Sequence, residues 1–216
     1  QQNGIYCHLV TDHSHYFEDG GATYHNRYST WEGFRGQEGD RWVPRKFAEG
    51  HAEINPLNKQ GISVEQHFAN RTRQVDENEM SSVQTIQAGL DFLEEYKKED
   101  NWFLQIECFD PHEPFFVPEK YRKLYEDCPN ESPYFWPKYG RVTDDISSDD
   151  LIELQNEYAA LIAMCDHHLG KVIDFLETNQ MWQDTLVIIN TDHGFLLGEH
   201  DWLGKNVAPM YEEIIH

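Results

Sequence analysis

The stretch that decides the fold is Leu186-Val187-Ile188-Ile189-Asn190-Thr191-Asp192-His193-Gly194, followed by Gly198-Glu199-His200-Asp201 and Lys205. A short run of aliphatic and β-branched residues reads as a buried strand over 185–191. It stops at an acid, an imidazole and a glycine, and an open α/β sheet gathers its ligand-binding groups at such C-terminal strand ends. Adjacent oxygen and imidazole donors point to a divalent metal. Lys205 lies close enough in sequence to return a positive charge to the same place. The set implies chemistry on an anionic ester.

Outward from this stretch, Ile5-Tyr6-Cys7-His8-Leu9-Val10-Thr11 reads as a first strand that ends in Asp12-His13-Ser14-His15. Residues 16–62, dense in Gly, aromatics and charge, read as a long loop or insertion. A weak helix fits 63–76. A capping box from Ser81 to Gln84 opens a helix to about Lys98, with Val83, Ile86, Leu90 and Leu93 at helical spacing. Trp102 to Phe109 reads as a strand stopped by Asp110-Pro111-His112-Glu113-Pro114. A short helix fits 117–127, a Pro- and aromatic-rich loop 128–146, and a long helix from Ser147 or Ser148 to Thr178. Strand, helix, strand, helix, strand predicts one α/β domain over 1–216, a largely parallel sheet flanked by helices.

Composition narrows the partners. The 216 residues carry 17 Lys+Arg against 39 Asp+Glu, a formal net charge of -22. This balance argues against nucleic acid and acidic membrane surfaces as ligands, because it supplies no basic face for counterion release. No apolar run approaches spanning length. The chain starts and stops within patterned segments and reads as a fragment, which leaves its compartment and oligomeric state unread. Of the four cysteines, Cys7, Cys108 and Cys165 fall in apolar patterns and Cys128 in an exposed turn. None forms a CxxC pair suited to zinc.

Three expected strand ends each carry a histidine: His13, His112 and His193. Several other residues have a bland reading beside a functional one. Cys165-Asp166-His167-His168 resembles a metal or phosphoesterase motif but lies inside a helix, which favours a structural role. Asp12, His15, Asp19 and His25 read as solvated loop groups. Arg35 is either a substrate contact or a salt-bridge partner. His200 is expected to orient the Lys205 loop. Trp31, Trp42, Trp136 and Trp202 fit a pocket or a core equally.

Asp192-His193-Gly194, Gly198-Glu199-His200 and Lys205, together with Phe109-Asp110-Pro111-His112-Glu113-Pro114-Phe115, resemble the sulfatase family. This family belongs to the alkaline-phosphatase-like superfamily, with phosphonate monoester hydrolase a relative. The resemblance runs from Gly4 to Tyr211 and is least over 14–62. It implies an incomplete alkaline-phosphatase-like core that acts on a small-molecule or glycan sulfate ester. It also implies that Asp192 and His193 hold a divalent cation, Lys205 contacts the ester's anionic oxygens and His112 assists the leaving oxygen. His13 corresponds to the histidine closing a Gly-Lys-Trp-His segment, with His15 one register away. Thr11 stands where that segment has lysine, as in the phosphonate hydrolases. The ion implied is Ca²⁺, although imidazole suits Mn²⁺, Fe²⁺ or Zn²⁺ better.

The family's nucleophile, a formylglycine made within a Cys/Ser-x-Pro-x-Arg motif, has no counterpart here, because Cys128-Pro129-Asn130 has the wrong spacing. Two further metal aspartates are likewise expected upstream. The chain by itself is therefore expected to show no turnover. The alternatives are a phosphonate or phosphate ester hydrolase of the same superfamily, or a member that binds anions without turnover.

Overall fold

The structure is a computed structural model and describes residues 3–21, 23–44, 54–127 and 129–215, so the exposed turn expected at Cys128 lies outside the described residues. The chain divides into two compact units. The first comprises Gln1–Gly50, Gly61–Asp110 and Cys165–Thr185. At its centre is a parallel sheet of β1 (Tyr6–Thr11), β2 (Thr30–Gly33) and β3 (Trp102–Glu107), in the order β2-β1-β3. Thr11 pairs with Glu107 on one side and Gly33 on the other. The middle strand buries Leu9 and Val10 completely, as a strand covered on both faces must.

Two helices precede β3 in sequence, α1 (Ile62–Arg71) and α2 (Ser81–Tyr96), and α2 packs on β1 and β3. Phe92 and Leu93 are buried on its inner side, where Phe92 stacks 5.0 Å from the His8 ring. Gly89 allows the close approach: a Cβ there would lie 2.4 Å from Ile106 Cδ1. The capping box expected at Ser81 and Gln84 is absent. Ser81 Oγ instead donates to the Arg35 carbonyl at 2.8 Å and accepts from Gln74. The box lies one turn earlier, where Glu79 accepts the Asp76 N–H. The expected long loop over 16–62 is also corrected. It contains β2, because Trp31 and its neighbours satisfy the open edge of β1.

The second unit comprises His51–Gln60, Pro111–Met164 and Leu186–His216. Its elements are α3 (Glu119–Arg122), the first half of α4 (Ser148–Thr178), and a small antiparallel sheet. That sheet is β4 (Gly140–Arg141), β5 (Leu196–Leu197) and β6 (Trp202–Gly204), ordered β4-β6-β5. Ser147 caps α4 as expected: its Oγ accepts the Asp150 N–H while Asp150 accepts the Ser147 N–H. Phe115, Tyr134, Trp136, Leu154, Leu161, Met164, Leu196 and Leu203 form the core, each almost wholly buried. Trp136 thus belongs to the core and not to a pocket.

The strand expected over 185–191 does not form. Residues 185–191 take no regular structure, and Leu186, Ile188 and Ile189 are 84%, 74% and 66% exposed. The composition asks for a strand covered on both faces, but among the described residues no neighbouring strand pairs with it, and an isolated strand gains no ladder.

Two buried polar centres hold the units' interiors. In the second unit, Asn58 is fully buried. Its Oδ1 accepts the N–H groups of Phe135 and Trp136 at 2.9 and 2.8 Å, and its Nδ2 donates to the Pro133 carbonyl. In the first unit, Asp12 is not the solvated loop group its sequence position suggests; it has no exposed surface. Its carboxylate accepts from Phe109 N–H at 2.6 Å and Gln37 Nε2 at 2.7 Å. Asp110, also buried, accepts from Ser82 Oγ. Burial and the Asp110 charge push Asp12 up to about 7, and burial raises Asp110 as well. The Arg71 guanidinium, buried nearby, is lowered by burial to about 10 and stays charged at neutral pH. The Arg71 guanidinium offsets carboxylate charge in this cluster.

Asn58→Ala strands two buried N–H groups at once and is expected to destabilise the fold by about 2–4 kcal/mol, read by urea denaturation. Asp12 retains a proton in the folded state over a range where an unfolded aspartate has lost it. Its stabilising contribution is complete below about 3.8 and is lost as pH rises through about 7. Asp12→Asn removes that dependence. Its melting temperature is expected to fall less than that of the wild type between pH 5 and 9; parallel curves would contradict the shared-proton account.

Candidate functional site

The second unit gathers His112, His193 and Lys205. His112 lies in the turn after β3, beside Glu113. Its Nδ1 sits 2.7 Å from the Glu113 carbonyl oxygen, and a carbonyl only accepts, so Nδ1 carries the proton. The Nε2 lone pair then accepts from Lys205 Nζ at 2.5 Å. Glu113 is itself held by the Tyr139 hydroxyl, which donates to its Oε1. His112 is three-quarters covered on its side chain, and burial pushes its pKa below the ordinary 6.5, helped by the charge of Lys205 and by His193. Near neutral pH it is an uncharged imidazole in contact with an ammonium.

Lys205 follows directly on β6, the middle strand of the small sheet. Gly204 has φ +99°, and a Cβ there would meet Tyr139 Cγ at 2.6 Å. Tyr139 therefore packs on the backbone that carries Lys205 while its hydroxyl holds Glu113, which ties both partners of the lysine–imidazole contact to one ring.

Asp192 and His193 sit on the exposed side of the same unit. His193 Nδ1 is 2.9 Å from the Gly194 carbonyl oxygen and so carries its proton there. Its Nε2 lies 3.4 Å from Asp192 Oδ2, while Asp192 Oδ1 accepts the His193 N–H. An imidazole nitrogen and a carboxylate oxygen facing each other at this distance have the spacing to share a cation about 2.0–2.2 Å from each. The donor set therefore fits part of a divalent-metal site. Gly194 is required: a Cβ there would overlap the Glu213 carbonyl oxygen at 1.7 Å, and its N–H donates to Ile214. His200 does not reach Lys205; it pairs with Glu213 at 2.9 Å and stacks on Tyr211.

The first unit holds the remaining sequence-derived residues at the end of β1. Thr11 is fully buried, and its hydroxyl accepts the His13 N–H at 3.1 Å. His13 is half-exposed, with Nδ1 3.2 Å from Glu107 Oε1. Glu107 is braced by the Tyr16 hydroxyl and Gln105, and although burial opposes it, the bonds from His13 and Tyr16 hold its pKa low. His15, the alternative histidine, is exposed and pairs with Glu18. Arg35 binds Asp40 through two nitrogens at 2.7 and 2.5 Å, so its salt-bridge reading holds. Glu107, Glu113 and Tyr139 went unnoticed in the sequence. The one available signal was their position, since Glu107 ends β3 and Glu113 follows His112 directly.

A family model described as Sulfatase matches residues 13–216. The "Uncharacterized sulfatase YidJ" of Escherichia coli is 25% identical over 92% of this chain and 44% of its own length. The choline-sulfatase of Rhizobium meliloti is 29% identical over 49% of this chain and 24% of its own. The chain thus spans less than half the length of these relatives. The crystal structure of the phosphonate monoester hydrolase of Agrobacterium radiobacter aligns over 99% of this chain and 49% of that one, with TM-score 0.61 and 17% identity, and shares the fold. The chain belongs to the sulfatase family.

Proposed function

We propose that the whole protein hydrolyses a sulfate ester of a small molecule or glycan, and that this chain supplies the leaving-group and part of the metal side of its active site. Both units are read as parts of one catalytic domain. The observation that carries the reading is the contact of Lys205 Nζ with the Nε2 of an imidazole whose Nδ1 proton is pinned to a carbonyl.

Sulfate transfer builds negative charge on the peripheral and leaving oxygens. Lys205 has three N–H donors, one of which faces His112, and the others are suited to peripheral oxygens. The proton that Lys205 shares with His112 Nε2 is the one available to the departing alkoxide: the ammonium gives it to that oxygen at the end of the step, while His112 holds and orients the lysine. The lowered pKa of His112 keeps its Nε2 an acceptor for the ammonium. A divalent cation held in part by Asp192 and His193, with calcium the family's choice, supplies charge stabilisation when bound. His13, oriented by Glu107, is assigned to the ester's oxygens, and Thr11 positions His13 through its backbone. The nucleophile is assigned to a formylglycine preceding Gln1 in the whole protein.

A phosphonate or phosphate ester hydrolase is the second reading, favoured by Thr11 in place of a lysine. Matched aryl sulfate and aryl phosphonate substrates, assayed with the full-length protein, separate the two. Sulfate is expected to be preferred in kcat/KM, and a large preference for phosphonate would reverse the order. The 216-residue chain alone is expected to hydrolyse neither. Asp192→Ala in the full-length protein is expected to abolish the calcium retained through gel filtration; unchanged calcium by elemental analysis would refute the metal assignment.

A further inference from the structure

A second group of donors lies in the first unit, on residues that take no part in the proposed reaction. Glu77, in the short 3-10 turn before α2, faces His167 and His168 on α4, and one donor atom from each lies within 4.8 Å of the other two. His168 is buried, and its Nε2 is 2.9 Å from Glu77 Oε1. The two rings are T-shaped at 5.0 Å, and His167 is exposed. Tetrahedral donors around an ion at 2.0–2.1 Å stand about 3.4 Å apart, so Glu77 and His168 must open slightly from their 2.9 Å hydrogen bond and His167 must close.

We propose that Glu77, His167 and His168 form a zinc site that clamps the turn before α2 onto α4. Two imidazoles and one carboxylate favour a late first-row ion such as Zn²⁺ over Ca²⁺ or Mg²⁺.

Lys171 regulates the site. Its Nζ lies 3.1 Å from His168 Nδ1, and an ammonium only donates, so Nδ1 accepts. Without the ion, His168 therefore carries its proton on Nε2 and gives it to Glu77. Zinc needs that Nε2 lone pair, so the proton must shift to Nδ1 and Lys171 must leave. Metal and lysine compete through one ring.

The test is zinc titration of chelator-treated protein by calorimetry. It is run in the Asp192→Ala background, so that the two sites are read separately and failure here leaves the proposed function standing. One zinc per chain is expected, with a raised melting temperature. His167→Ala, at an exposed position that the fold tolerates, is expected to weaken binding about tenfold or more, and Lys171→Met to tighten it severalfold. An isotherm unchanged by both substitutions, or calcium bound as tightly as zinc, overturns the proposal.

Discussion

Two backbone carbonyls decide what the histidines of the second unit can do. Glu113 O and Gly194 O each take the Nδ1 proton of an adjacent ring, His112 and His193 respectively. His112 therefore presents a bare Nε2 to an ammonium, and His193 turns its Nε2 toward a carboxylate. Reversing either tautomer would set Nε2–H against the lysine, or close the gap in which a cation fits. The hydrogen bonds that fix these choices are main-chain bonds. They depend on the turn after β3, where the Glu113 carboxylate also lies 3.1 Å from His112 Nδ1, and on the close approach of Gly194 to Glu213.

This answers how a chain with net charge -22 can handle an anion. The positive groups are few and local. Among the described residues Lys205 makes no carboxylate contact; its partner is an uncharged imidazole, so its charge stays available at short range, where low dielectric counts for more than the protein's distant field. In the buried cluster of the first unit, the Arg71 guanidinium likewise offsets the charge of two aspartates whose pKa values burial raises.

Much of this was legible in the sequence because it lay in local pattern. The alternation and caps around Tyr6–Thr11, Trp102–Glu107 and Ser148–Thr178 placed those elements nearly to the residue. Asp192, His193, His112 and Lys205 stood out by motif. What escaped was set by tertiary pairing. Thr30–Gly33 became a strand only because β1 offered it an edge, and Asp12 looked like a solvated loop residue because its partners Phe109 and Gln37 are distant in sequence. Conversely, Leu186–Ile189 had the composition of a buried strand, but a strand is a relation between neighbours, which composition does not encode.

That segment carries a consequence for handling the protein. Four consecutive aliphatic residues, three of them exposed and Val187 half-buried, with no charge and no proline, form a template onto which another extended chain can add. The chain's high negative charge opposes such encounters through long-range repulsion, and salt screens that repulsion. Colloidal behaviour should therefore run opposite to the usual expectation for a strongly charged protein: added salt, which relieves crowding among its carboxylates, exposes the one stretch that the repulsion keeps apart.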